Sequence, residues 1–291
     1  MTQPGEATLL AVLGHPVGHS LSPAMQQAAL FAAGIEGLYL AFDVAPERFS
    51  AVLDAAATLG FRGLNVTIPH KQSAWAAAGQ LLPAAERSGA VNTLVRDGDR
   101  WIGDNTDGAG WLDSLQEELG VTPQGLSVAL LGAGGAARAL ADALLGGGCE
   151  RVVVYNRDPV RAQALCDALS PHHGDGRLRS APLEKLDTRS ADLLLNTTPL
   201  GMRGRWAGMM PCATDQVRPH LIVSDIVYRP LTTPLLEAAA LCGARVHGGL
   251  GMFVHQGARA FERWFGVSAG TGPMRAAVLA ELSVDDGPVE G

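Results

Sequence analysis

Apolar and polar positions alternate along this chain in two periods, and the switching between them predicts an α/β protein. Leu9 to Leu13 is a short apolar run stopped by Gly14, and reads as a strand. Pro23 to Ala33 follows with helical character, then Leu38 to Phe42 as a second strand. From Pro46 to Leu59 the apolar residues Phe49, Val52, Leu53 and Ala56 share one helical face. Leu64 to Ile68 is a third strand. Val91 to Val95 and Trp101 to Gly103 flank Asp97-Gly98-Asp99, which predicts a hairpin and makes the first sheet mixed.

Beyond Gly125 the alternation becomes regular. Val128 to Leu131, Val152 to Tyr155, Leu193 to Leu195, Ile222 to Asp225 and Arg245 to His247 read as strands, with another near Leu178. Helices are expected over Ala136 to Leu145 and Val160 to Leu169. Repeated βαβ units of this kind predict a doubly wound parallel sheet. His172 to Gly176 and Arg203 to Met210 read as loops, the second as a mobile one. Two further helices, Phe253 to Trp264 and Pro273 to Leu282, are expected to return to the first domain. The expected division is a first domain over 1–110 completed by helices within 251–283, a second over 111–250, and a disordered acidic tail over 284–291.

Composition narrows the function classes. Of 291 residues, 47% are hydrophobic and 18% charged, which fits a folded globular chain. The formal net charge of −7 and the lack of a basic run argue against nucleic acid as a partner. No apolar stretch reaches membrane-spanning length, and Met1 to Ala7 lacks a signal pattern. Cys149, Cys166, Cys212 and Cys242 form no C-x-x-C pair, which points to a reducing cytoplasm. Of the 22 basic residues only Lys71 and Lys185 are lysines. A lysine can release its proton where an arginine cannot, so a lysine inside a motif carries weight. Lys185, in a polar stretch, reads as surface.

The candidate chemistry lies at element ends. Gly132-Ala133-Gly134-Gly135-Ala136-Ala137 fits G-x-G-x-x-A between a strand and a helix. Gly132 permits the turn, Gly134 lets backbone approach a pyrophosphate, and the helix N-terminus offers unpaired N–H groups. At the end of the next strand an NAD site usually carries an acid, whereas this chain has Asn156-Arg157, with Arg161 a turn later. Arginines there favour a 2′-phosphate, hence NADP over NAD. Asp158 between them either repels that phosphate or caps the following helix. Ser20 and Ser22 flank the start of the first helix beside Pro23, suiting a cap or a carboxylate cradle. Asn65 and Thr67 alternate onto one strand face before Pro69, and Lys71 follows at the strand end. Asn92 and Asp107 add polar groups at other element ends. His15 and His19 are four apart, but Pro16 and Gly18 argue against a shared helix face, so no metal is expected. His70, beside Lys71, is expected to be structural or solvated.

Taken in order, S-L-S-P, N-V-T-x-P-x-K, G-A-V-N-T, N-T-D-G, G-A-G-G-A, N-R, N-x-T-P-L-G-M and G-x-G-M-x-x-x-Q make the chain resemble the shikimate dehydrogenase family from Leu10 to the last helix. The resemblance implies a mixed-sheet substrate domain and a Rossmann-like NADP-binding domain. It implies reversible NADPH-dependent reduction of 3-dehydroshikimate to shikimate, in aromatic amino acid biosynthesis, with Lys71 and Asp107 as the catalytic pair. It implies substrate contacts from Ser20, Ser22, Asn65, Thr67, Asn92 and Gln256, with Tyr228 between substrate and nicotinamide. Asn156, Arg157 and Arg161 would hold the adenosine phosphate, and segments Thr197 to Met202 and Gly249 to Met252 would line the nicotinamide pocket. Many members of the family carry threonine where this chain has Asp158. Quinate/shikimate and aminoshikimate dehydrogenases share this pattern. A non-catalytic NADP/cyclic-acid sensor would be expected to lack Lys71 or Asp107, and a folate-type dehydrogenase would lack the Ser20 to Lys71 motifs. The hairpin-bearing first domain offers a surface for a homodimer, and no sequence feature fixes the oligomeric state.

Overall fold

A computed structural model describes residues 7–174 and 176–285. The chain divides into two compact units, one of residues 1–106 with 254–291 and one of residues 107–253.

In the first unit the elements run β1 (Thr8–Gly14), α1 (Ser22–Ala32), β2 (Gly37–Asp43), α2 (Phe49–Thr58), β3 (Gly63–Val66), α3 (Lys71–Ala77), β4 (Gln80–Leu81), α4 (Pro83–Ser88), β5 (Thr93–Asp97) and β6 (Arg100–Asp104). The sheet order is β2-β1-β3-β5-β6-β4. β1, β2 and β3 are parallel, whereas β5 runs antiparallel to both β3 and β6. The mixed sheet follows from a tight hairpin: Asp97 pairs with Arg100, and Gly98 takes the left-handed conformation (φ 57°) that such a turn needs. The order reverses about β1, so the carboxyl ends of β1 and β3 form a crevice of the kind where α/β sheets bind ligands.

Three expectations from the sequence are corrected by the fold. The third strand ends at Val66, and Ile68 is exposed, because the chain turns over residues 67–70. Lys71 therefore opens helix α3 and does not stand at a strand end. The helix expected from Pro46 begins as a single 3-10 turn over Pro46–Arg48 before α2 proper. Helices α3 and α4 and the short β4 were not expected, since each is too brief to show a period.

The second unit contains α5 (Asp107–Leu119), β7 (Ser127–Leu131), α6 (Gly135–Gly146), β8 (Arg151–Asn156), α7 (Pro159–His173), β9 (Leu178–Pro182), β10 (Leu193–Asn196), β11 (Ile222–Asp225), α8 (Pro234–Cys242) and β12 (Arg245–His247). Its sheet is wholly parallel, in the order β12-β11-β10-β7-β8-β9. Alternate residues of the central strands enter opposite cores: Leu130, Val154 and Leu195 on one face, Leu131, Tyr155 and Leu194 on the other. A sheet covered on both faces explains strands that read as unbroken apolar runs. Helix α7 continues through Pro171 to His173, so the expected loop at His172 is helical at its start.

Helix α9 (Gly249–Phe265) spans the boundary between the units, and α10 (Thr271–Asp285) belongs to the first. α10 includes Val284 and Asp285, which were expected in the tail; the rest of that tail lies outside the described residues. No helix among the described residues is long and apolar enough to cross a membrane.

Candidate active site

The polar residues of the first unit gather at one end of its sheet, where Asn65 of β3 pairs with Thr93 at the amino end of the antiparallel β5, and Thr93 with Asp104 at the carboxyl end of β6. Asn65, Asn92, Thr93 and Thr106 are each at most 7% exposed. Such groups must be bonded or they cost stability, and here they bond one another. The Asn92 side-chain oxygen accepts from the Thr106 backbone N–H (2.9 Å), and its amide donates to Thr106 Oγ1 (3.0 Å). That amide also lies 3.5 Å from Gln256 Oε1. Thr106 Oγ1 donates to the Gln256 carbonyl (3.0 Å), fixing α9 against the N-T-D-G segment. The Asn65 amide reaches the Asn92 carbonyl (3.2 Å) and Thr93 Oγ1 (3.3 Å). Asn65, Asn92 and Gln256, far apart in sequence, thus belong to one network.

Tyr39 was missed by sequence reasoning. Its hydroxyl donates to Asn65 Oδ1 at 2.7 Å. Burial pushes its pKa well up, against a smaller lowering by a hydrogen bond with Ser22. Tyr39 therefore links two proposed substrate contacts, Ser22 and Asn65. Its only signal in the sequence is its place within the apolar strand β2. Asp104 and Arg263 were also missed: Arg263 Nε donates to Asp104 Oδ2 (2.8 Å), and Asp104 Oδ1 accepts from the Asn105 N–H (2.7 Å). Ser20 and Ser22 sit at the start of α1, where Ser20 Oγ accepts from the Ser22 N–H at 3.3 Å; no side chain caps this helix. Thr67 follows β3, half-buried, its N–H bonded to the Leu13 carbonyl.

Lys71 is the first residue of α3, and its carbonyl accepts from the Val91 N–H (2.9 Å). A cation at the positive end of a helix is electrostatically disfavoured, so helix stability gives no reason for a lysine there. Asp107, 4% exposed, is the first residue of α5, where the helix field favours a carboxylate. His70 is structural: it is 1% exposed, bonds the Val44 carbonyl through Nε2 (2.7 Å) and stacks on Phe49.

In the second unit the sheet order reverses between β7 and β10, the position where doubly wound sheets bind dinucleotides. Gly132 directly follows β7 with φ 109°, and a Cβ there would lie 2.6 Å from Thr197 Oγ1, so both conformation and space demand glycine. Gly134 and Gly135 are exposed with open space beside them, and Ala133 and Ala136 are half-buried. No side chain caps the N-terminus of α6, which leaves its N–H groups for a ligand. This bare helix end fits a dinucleotide pyrophosphate.

The next helix differs. Asp158 Oδ1 accepts from the Val160 and Arg161 N–H groups (3.0 and 3.3 Å), and Oδ2 lies 3.5 Å from Arg161 Nε. The Asn156 amide donates to the Asp158 carbonyl (2.9 Å). Asp158 thus caps α7, and its carboxylate stands beside Arg161. Arg157 and Arg161 are exposed, which suits a phosphate from solvent. Thr197 donates to the Leu131 carbonyl at 2.7 Å; Met202 is exposed, while Gly249 and Met252 are buried. Tyr228 stacks on Phe253 with ring centroids 4.4 Å apart. Among the described residues, no group of three or more His, Cys, Asp or Glu side chains is placed to hold a metal ion.

Comparison with known proteins decides the family. Residues 12–94 match the shikimate dehydrogenase substrate binding domain, residues 115–198 the shikimate/quinate 5-dehydrogenase family, and residues 249–279 the shikimate 5'-dehydrogenase C-terminal domain. The chain is 43% identical over 281 residues to the shikimate dehydrogenase (NADP(+)) of Methanopyrus kandleri, covering 95% of this chain and 97% of the relative. This chain belongs to the shikimate dehydrogenase family. Its fold is similar to that of shikimate 5-dehydrogenase from Thermus thermophilus in complex with NADP(H) and shikimate (TM-score 0.85, 40% identity, 94% and 99% of the two chains). It is also similar to quinate dehydrogenase from Corynebacterium glutamicum in complex with NAD (TM-score 0.87, 32% identity, 94% and 99%).

Proposed function

We propose that this chain is an NADP-dependent shikimate dehydrogenase, catalysing the reversible reduction of 3-dehydroshikimate to shikimate in aromatic amino acid biosynthesis. The single observation that carries the substrate reading is the network joining buried Asn65, Asn92 and Thr106 to half-buried Gln256. A fixed array of this kind suits a ligand bearing several hydroxyls, since a ligand lacking one leaves a buried group unpaired.

In this reading the unit of residues 1–106 and 254–285 holds substrate, and the unit of residues 107–253 holds NADP. Ser20 and Ser22 take the carboxylate at the start of α1. Asn65, Thr67, Asn92 and Gln256 take the ring hydroxyls, and Tyr228 stands between ring and nicotinamide. Gly132 to Ala136 cradle the pyrophosphate; Asn156, Arg157 and Arg161 hold the adenosine phosphate; Thr197 to Met202 and Gly249 to Met252 line the nicotinamide pocket. When bound, NADPH supplies the hydride. Lys71 Nζ gives the proton to the oxygen that gains charge, and takes it back in the reverse direction. Asp107 orients the lysine and a neighbouring substrate hydroxyl, so that the transfer needs little reorganisation.

We place the enzyme in the cytoplasm, a reading supported by four free cysteines, and propose no nucleic-acid or membrane partner. We also propose a homodimer through the first unit, where the edge strand β2 exposes Leu38, Leu40 and Phe42; sedimentation at micromolar concentration tests it. A second reading, a quinate/shikimate dehydrogenase that also accepts NAD, is favoured by the Asp158 carboxylate beside Arg161. Steady-state rates on shikimate, quinate and aminoshikimate, each with NADP+ and NAD+, separate the two. Shikimate with NADP+ is expected to give the highest kcat/KM, and a preference for quinate with NAD+ would overturn the first reading.

A further inference from the structure

Asp225, at the end of β11, is 1% exposed, yet its hydrogen-bond partners are all neutral. Oδ1 accepts from the Asn196 amide and from the Val227 N–H, each at 3.0 Å, and Oδ2 accepts from Thr233 Oγ1 at 2.7 Å. Burial pushes the carboxyl up to about 6, against lowering by those three bonds. A buried carboxylate without a cationic partner is costly, so stability alone gives no reason for an acid at this place.

The partners lead to segments that the proposed function assigns to the nicotinamide. Asn196 ends β10, and its side-chain oxygen accepts from both the N–H (3.0 Å) and the hydroxyl (2.7 Å) of Thr198. Its amide also reaches the Leu200 carbonyl at 3.4 Å, so this one side chain shapes the turn that carries Thr197 to Met202. The Asn196 carbonyl accepts from the Ile226 N–H (3.2 Å). Val227 directly precedes Tyr228. The backbone of Ile226 and Val227 lies so close to α9 that a Cβ on Gly249 would sit 2.3 Å from the Ile226 carbonyl oxygen. Thr233 caps α8, its hydroxyl accepting from the Leu236 N–H (3.3 Å). A single carboxylate therefore ties together residues 196–202, 226–228 and the start of α8, and the second of these rests on the start of α9.

We infer that Asp225 is a positioning residue for hydride transfer, which through Asn196 and the Val227 N–H holds Thr197 to Met202 and Tyr228 in register with each other. This rests on the reading of those segments as the nicotinamide pocket. The carboxylate touches neither substrate nor cofactor in this role. Its contribution is to fix two loops beyond the first residue of each, where Thr197 N–H to the Leu131 carbonyl and Ile226 N–H to the Asn196 carbonyl end the ladder.

The test uses the intact enzyme with Asp225→Ala, Asp225→Asn, Asn196→Ala and Tyr228→Ala. Asp225→Ala removes both acceptor oxygens and with them all three hydrogen bonds. Asp225→Asn keeps a carbonyl oxygen for Asn196 and Val227 and turns an amide toward the Thr233 hydroxyl. For Asp225→Ala, kcat for shikimate oxidation at saturating NADP+ is expected to fall about tenfold or more. The change in nicotinamide fluorescence on NADPH binding should shrink with it. Binding of 2′,5′-ADP, which reports only the adenosine half, should stay within about twofold of wild type. Asp225→Asn should restore most of the loss. Asn196→Ala cuts the same tie from the other side and should share the profile, and it carries the test should Asp225→Ala not fold. Parallel losses of 2′,5′-ADP affinity and thermal midpoint would mean a merely structural role and overturn the inference. If Tyr228→Ala alters the NADPH signal and both Asp225→Ala and Asn196→Ala leave it unchanged, the inference fails while the pocket reading stands. If none of the three alters it, the pocket reading fails and takes the inference with it.

Discussion

The two units meet ligand chemistry in opposite ways. In the first, Asn65 and Asn92, assigned to substrate, are buried and tied into a network before any ligand arrives: Asn92 to Thr106, Thr106 to Gln256, Asn65 to Tyr39. In the second, several residues assigned to cofactor phosphates are exposed: bare backbone at Gly134 and Gly135 and surface arginines at positions 157 and 161. Selectivity for a ring and affinity for a dinucleotide thus call for different materials. Discrimination among hydroxyl patterns needs donors and acceptors that cannot readjust, which requires burial and mutual bonding. Holding phosphates needs N–H groups and charge within reach of solvent, and these can be altered with little damage to the fold.

Substitutions put that contrast to the test. The largest effect is expected at the proton donor: Lys71→Ala should lower kcat by roughly a thousandfold while calorimetry finds shikimate binding nearly intact; turnover close to wild type would remove Lys71 from the mechanism. In the same unit, Asn92→Ala strips partners from Thr106 and Gln256 and should cost roughly 2–3 kcal/mol of stability in denaturant unfolding, alongside activity. A loss of activity without destabilisation would show that the network is not already formed in the free protein.

A pH effect of on the order of 2 kcal/mol is expected within the second unit. The Asp225 carboxyl is raised in the folded chain by burial, from 3.8 to about 6. Its contribution to stability is therefore present below about 3.8 and is lost as pH rises through about 6. The thermal midpoint of wild type should fall relative to that of Asp225→Asn between pH 4 and pH 7; a constant gap over that range would mean that the group does not titrate there.

Smaller and more selective changes are expected at the exposed cofactor residues. Arg157→Ala should weaken NADP+ about tenfold and NAD+ hardly at all, with unfolding unchanged. Equal losses for the two cofactors would count against the 2′-phosphate assignment. The smallest effect belongs to Asp158→Asn. Asparagine caps a helix about as well as aspartate, so α7 should persist, while Arg161 loses its carboxylate neighbour. The NADP+ to NAD+ preference should rise a few-fold; a preference that falls or stays level would mean that the carboxylate does not oppose the phosphate.

Much of this was legible in the sequence because it is local. The second sheet is written as apolar runs of strand length separated by helical periods, and the phosphate loop as glycines at a fixed offset after β7. The hairpin is written in Asp97-Gly98-Asp99, and the order of short motifs named the family. Elements without room for a period were not legible: α3 and α4 have seven and six residues, and the turn over 67–70 moved Lys71 from a strand end to a helix start. Tyr39 gave no sign of its role, since an aromatic residue in an apolar strand reads as packing.

Periods, turns and the chemical groups on offer were set by the order of residues alone, because each depends on neighbours within a few positions. Which of those groups meet was settled in three dimensions. Gln256 reaches Asn92 across 164 positions, Tyr39 reaches Asn65 from another strand, and Asp225 finds Asn196 across a parallel pair. The cause is burial: a polar side chain removed from water must find its partner wherever packing puts one, and packing is a property of the whole folded chain.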